Sequence, residues 1–149
     1  MNLTKLAATL AAAMLCAPQA QAQTEIQWWH SMGGALGEAL NGLANQFNAG
    51  QKEYKVVTSY KGSYPESMTA AIAAFRAGQA PHLLQVFEVG TATMMAAKGA
   101  VKPVYQLMKE AGEPFDPKAY LPTVTGYYSD TQGNMLSMPF NSSTALFYI

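Results

Sequence analysis

Thiol and guanidinium chemistry have almost nothing to work with in this chain. Its 149 residues include one cysteine, two histidines and one arginine. The cysteine, Cys16, lies in an apolar run near the start. The rest of the chain therefore has no disulfide, thiolate nucleophile or cysteine-bound metal. His30 and His82 fall at opposite ends of predicted strands, and no HExxH or EF-hand spacing occurs, so no metal site is expected. Charge is sparse as well: nine acidic and nine basic side chains balance to zero. That balance gives no electrostatic pull toward nucleic acid or an anionic membrane. No apolar run is long enough to cross a bilayer, the one from Leu6 to Cys16 included.

What is present begins with an export signal over residues 1–22. Lys5 supplies the positive start, Leu6 to Cys16 the apolar stretch, and Ala20-Gln21-Ala22 the small residues of a cleavage site. Cleavage after Ala22 leaves 8 basic and 9 acidic side chains, a net charge of −1. Leu15 precedes Cys16 where lipid attachment uses Gly or Ala, which argues against a lipoprotein anchor. Export without cysteine in the mature chain suits a bacterial periplasm. At the other end, SSTALFYI stops inside a strand-forming run. The expectation is an incomplete lobe over 23–149, the first part of a longer protein, with uncovered strand edges that favour aggregation.

Half of the residues are apolar, enough for a packed core. TEIQWW (24–29) reads as a strand with Ile26 and Trp28 on one face. Leu36, Leu40, Leu43 and Phe47 then form a helical stripe that ends near Gly50, where glycine permits a left-handed stop. YKVVTSY (54–60) is a second strand. Met68, Ile72 and Phe75 mark a second helix closed by Gly78. HLLQVF (82–87) reads as a third strand buried on both faces, and 90–97 as a helix. The order βαβαβα predicts an α/β fold with a largely parallel sheet, right-handed connections and helices flanking it. Val104 to Gly112 is a short helix, and GYYSDTQGNMLSMPF a hairpin turning over Asp130 to Asn134.

In open parallel sheets ligands bind beyond the carboxyl ends of the strands. His30-Ser31, Lys61 to Tyr64, and Glu88 follow strands one, two and three, so all three fall on one edge. Ser63 and Glu66 form a capping box around Pro65, and Glu66 opposes an anion at that helix end. Tyr64 is left as a phenol at the strand edge, structural or ligand-binding. Glu88 either caps the following helix or accepts ligand hydroxyls or a cation; both readings stand. Of Trp28 and Trp29, on opposite faces, at least one is expected in the core and the other could line a cleft. A hydrolase triad of His30, Glu88 and Ser142 or Ser143 lacks the G-x-S-x-G elbow. The methionines form no regular array and read as core filling.

The blocks WWHSM, LANQFNAG, YKVVTSYKGSY, APHLLQVFEVGTATMM, FDPKAYLPTVTGYYSD and PFNSST carry a resemblance. From Ile26 onward the chain is similar to the solute-binding proteins of bacterial sn-glycerol-3-phosphate ABC importers, within extracellular solute-binding family one. The resemblance implies a type II periplasmic binding protein whose two α/β lobes close over ligand, with this chain truncated at a hinge strand. It implies ligand contacts at Tyr64, Glu88 and Ser143, glycerol-3-phosphate as ligand, the permease subunits as partners, no cofactor and no catalysis. It places an arginine of the site outside this chain. A carrier for another sugar or polyol is the alternative within the class.

Overall fold

The computed structural model describes residues 23–97 and 99–141. The export signal at 1–22 and Ser143 therefore lie outside the described residues. Three strands form one parallel sheet in the order β2-β1-β3: β1 is Thr24–His30, β2 is Tyr54–Tyr60 and β3 is Leu83–Leu84. β1 is the middle strand. It pairs with β2 along its whole length, from Thr24 opposite Tyr54 to His30 opposite Tyr60. On its other edge Trp28 and Trp29 pair with Leu83 and Leu84.

Helix α1 (Gly34–Gly50) connects β1 to β2, and α2 (Tyr64–Arg76) connects β2 to β3. Right-handed crossovers in this strand order put the two helices on opposite faces of the sheet. Beyond β3 come α3 (Glu88–Ala96), α4 (Val104–Ala111) and the single turn α5 (Pro122–Thr125). The α/β class and parallel sheet expected from the sequence are present.

Both crossover helices meet the sheet through small residues. On α1 the buried line is Gly37, Leu40 and Ala44, while Leu36, Leu43 and Phe47 stay about half or more exposed. On α2 it is Ser67 and Ala71, while Ile72 and Phe75 are exposed. Of the predicted stripes Leu40 is buried as expected, while the residues beside it are partly or largely exposed. At the start of α1 the chain packs closely on its own approach loop: a Cβ at Gly37 would lie 2.6 Å from the Met32 carbonyl oxygen.

Polar side chains fasten α1 to β2. The Asn48 amide brackets Val56, accepting its N–H at 2.7 Å and donating to its carbonyl at 2.8 Å. Thr58 Oγ1 donates to Asn41 Oδ1 at 2.7 Å. The predicted left-handed stop at Gly50 is corrected: Gly50 stays helical and Gln51 ends the helix in extended backbone. Its side chain accepts the Glu53 and Tyr54 N–H groups at 2.8 and 2.7 Å and donates to the Tyr54 carbonyl at 2.6 Å. Gly78 closes α2 at φ +70°, as expected.

Two other expectations are corrected. The third strand is two residues long rather than six, and Leu83 is 48% exposed rather than buried on both faces. Pro81 precedes it, and after a last bond from the Gln85 N–H to the Trp29 carbonyl the chain turns to start α3. Neither tryptophan is fully buried; both are intermediate. Trp28 packs edge-on against Phe140 at 5.4 Å, and the Lys61 ammonium lies 4.0 Å from the Trp29 ring centroid.

The Asp130 turn is present, with Asp130 N–H bonded to the Asn134 carbonyl at 3.0 Å and Ser129 bridging Met135. The arm before it is helical at 122–128 rather than extended. The other arm caps α4. Val104 and Tyr105 donate their N–H groups to the Leu136 and Met135 carbonyls, satisfying two donors that the helix leaves open. Met135 is fully buried there.

The Gly37 contact predicts a sign reversal within one helix. Gly37→Ala should lower the unfolding midpoint in urea despite its gain in helix propensity. Gly42→Ala, with nothing within 4 Å of the added Cβ, should raise stability by up to about 1 kcal/mol. Equal stabilisation by both would contradict the close packing.

Candidate functional site

The carboxyl ends of the strands carry three polar segments to one rim. After β1 the chain reaches Ser31, after β2 Lys61 to Tyr64, and after β3 Gln85 and α3. Parallel pairing produces this directly, because all three strands end on the same side.

Tyr64 is the first residue of α2, and the turn before it is tightly made. Gly62 has φ +80°, and a Cβ there would lie 2.4 Å from Glu66 Oε2. That space is used by the Glu66 carboxylate, which accepts the Ser63 N–H at 2.7 Å and the Ser63 hydroxyl at 2.8 Å. The capping box is present. These bonds from Ser63 hold the Glu66 carboxyl below its ordinary range. An ionised Glu66 at this helix start disfavours an anion at the α2 amides, as the sequence suggested.

The Tyr64 ring lies against Phe87, with centroids 5.7 Å apart. Phe87 in turn rests over Gly90, where a Cβ would come within 2.7 Å of the ring. The FEVG segment therefore needs glycine at its fourth position to seat the ring that supports Tyr64. Glu88 opens α3 two residues before the predicted start, which puts it in the first turn.

The residue missed by sequence reasoning is Gln85. It is only 8% exposed. Its Oε1 accepts the Ser31 N–H at 3.0 Å. Its Nε2 faces Tyr64 Oη at 3.5 Å and Asn141 Oδ1 at 3.4 Å. One amide thus touches the segments that follow β1 and β2 and Asn141, the first residue of the NSST motif. The available signal was a polar residue inside an apolar run, LLQVF. The Ser31 hydroxyl is buried beside this network without a hydrogen-bond partner among the described residues.

His30 sits apart from this cluster in role. It is 2% exposed and ends β1 rather than lying in the loop. Its Nδ1 accepts the Met32 N–H at 3.2 Å, so the neutral ring carries its proton on Nε2. Burial pushes its pKa below the ordinary value of 6.5. A ring whose Nδ1 is occupied and whose Nε2 is protonated is not set up as a general base. Ser142 and Ser143, the serines of the hydrolase alternative, lie outside the described residues. His82 is structural: its Nδ1 accepts the Gln27 N–H at 3.0 Å and its own N–H returns to the Gln27 carbonyl. Among the described residues no group of three or more His, Cys, Asp or Glu could hold a metal ion.

A wide, open cleft of about 710 Å³ adjoins the rim on the α1 side, lined in part by His30, Gly33, Asn41, Thr58 and Tyr60. The sheet end, the cleft and the polar cluster are features of a binding surface. A profile of the bacterial extracellular solute-binding proteins matches residues 33–149. The chain belongs to that family. Curated relatives agree. The sn-glycerol-3-phosphate-binding periplasmic protein UgpB of Escherichia coli K12 is 54% identical over 143 residues, 95% of this chain and 32% of that protein. Proteins of the same name from Escherichia coli O1:K1 and Shigella flexneri match with the same identity and coverage. This solute-binding family member therefore spans about a third of the length of the curated relatives it matches.

The buried neutral histidine gives a pH prediction. Its folded pKa is depressed, so its contribution is complete above the unfolded value of 6.5. Stability should fall as pH drops below that value and level off beneath the folded pKa. His30→Asn should flatten this dependence in urea unfolding at stepped pH. Identical pH slopes for both proteins would contradict a buried neutral His30.

Proposed function

We propose that this chain forms part of the N-terminal lobe of a periplasmic binding protein that takes sn-glycerol-3-phosphate, with glycerophosphodiesters as a related class. In this reading the complete protein closes two lobes over the ligand and presents it to an ABC permease. It binds and releases, and does no chemistry. The observation that carries the reading is the polar rim at the ends of three parallel strands, in a chain 54% identical over 95% of its length to proteins named for this ligand.

Charge assigns the roles. A carboxylate beside a dianionic phosphate is repelled, so Glu88 takes the glycerol hydroxyls. Tyr64 and Ser143 are neutral donors and serve either end of the ligand. The phosphate calls for a cation, and Arg is best suited to it. Arg76 ends α2. Twelve helical steps separate it from Tyr64, about 18 Å along the axis. In this reading the arginine of the site comes from the part of the complete protein outside this chain.

Isothermal titration with sn-glycerol-3-phosphate tests this in two forms. Residues 23–149 alone should show weak or no binding. The same segment grafted in place of the matching 143 residues of the Escherichia coli K12 relative should bind. Micromolar or tighter binding by the segment alone would show that a second lobe is dispensable. A folded graft that ignores this ligand but binds another polyol would overturn the ligand assignment.

A further inference from the structure

We propose that Gln85 is a positioning residue of the ligand rim, orienting the Tyr64 phenol and the chain that leads to Ser143 through one buried amide. The inference rests on the rim being the ligand site, as argued above.

A primary amide offers an acceptor oxygen and two donor hydrogens. In Gln85 the oxygen is engaged by the Ser31 N–H at 3.0 Å. That bond decides the polarity of the rest: the nitrogen must face the other way. It faces two oxygens, Tyr64 Oη at 3.5 Å and Asn141 Oδ1 at 3.4 Å. The residue is itself pinned to the sheet, because its backbone N–H donates to the Trp29 carbonyl at 2.9 Å. A group attached to β3 thereby reads the loop after β1, the start of α2 and the first residue of NSST.

The polarity has a consequence for recognition. An Nε2 donor makes the Tyr64 oxygen an acceptor on that side, and the phenol hydrogen is directed away from Gln85. Gln85 thereby sets the acceptor side of the phenol. Asn141 is ordered likewise: Oδ1 faces Gln85 while Nδ2 lies 3.4 Å from Met32 Sδ. A carboxylate in place of the amide would keep the Ser31 bond, since it still accepts. It would oppose Tyr64 Oη and Asn141 Oδ1 with an acceptor instead of a donor, and add a negative charge near an anionic ligand.

The test uses Gln85→Glu and Gln85→Met in the graft described above, titrated with sn-glycerol-3-phosphate from about pH 8 to about pH 5. Each variant is compared with the unsubstituted graft at the same pH, which cancels the ligand's own ionisation. Gln85→Glu should bind about tenfold more weakly at high pH. Its deficit should shrink as pH falls, because burial at this position raises the carboxyl into the titrated range and the protonated form again donates one hydrogen. Gln85→Met should show a deficit that pH does not change, and it serves alone if the carboxylate variant does not fold. A lowered melting temperature with unchanged affinity, or a Gln85→Glu deficit independent of pH, would overturn the positioning role. Failure of the unsubstituted graft to bind would instead overturn the reading of the site itself, and this role with it.

Discussion

Parallel pairing on both edges of β1 is the constraint from which the rest follows. A strand flanked on each side by parallel neighbours must receive its partners through crossovers, and α1 and α2 supply them. The three strands then end on one side, and whatever follows each strand is delivered to one rim. Ser31, Tyr64 and Gln85 are far apart in sequence and adjacent for this reason alone. The short β3 is sufficient because two ladder positions, Trp28 with Leu83 and Trp29 with Leu84, already fix where Gln85 emerges.

Side-chain amides perform much of the fastening in this chain. Asn48 holds β2 to α1, Gln51 ends α1, and Gln85 links the rim. Each is a neutral group that both donates and accepts, so each can satisfy backbone or side-chain partners without burying a charge. This suits a chain with few charges. It also keeps the rim free of fixed negative charge at Gln85, beside Tyr64. Among the described residues, large apolar side chains on the flanks of α1 and α2, such as Leu36, Phe47 and Phe75, are exposed.

The elements with long-range periodicity were legible in the sequence. β1, β2, α1 and α2 lie within a few residues of their expected bounds, and the Ser63–Glu66 box was readable from spacing alone. The helix faces were less legible. Periodicity identifies apolar residues but not which of them the fold buries, so Gly37, Ser67 and Ala71 took the buried positions instead of Leu36, Ile72 and Phe75. β3 was overread because an apolar run does not reveal where backbone pairing stops. Among the candidate residues, Tyr64 and Glu88 were singled out by their position after strands. Gln85 was missed because its importance comes from contacts with Ser31, Tyr64 and Asn141, which no local pattern encodes.

The most direct measurement is the set of nuclear Overhauser contacts made by the Gln85 side-chain amide protons in the folded chain. The account predicts contacts to the Tyr64 ring and to the Ser31 amide, alongside contacts from Trp28 to both Thr58 and Leu83. A Gln85 amide remote from Tyr64, or a β1 that contacts only one neighbouring strand, would contradict it.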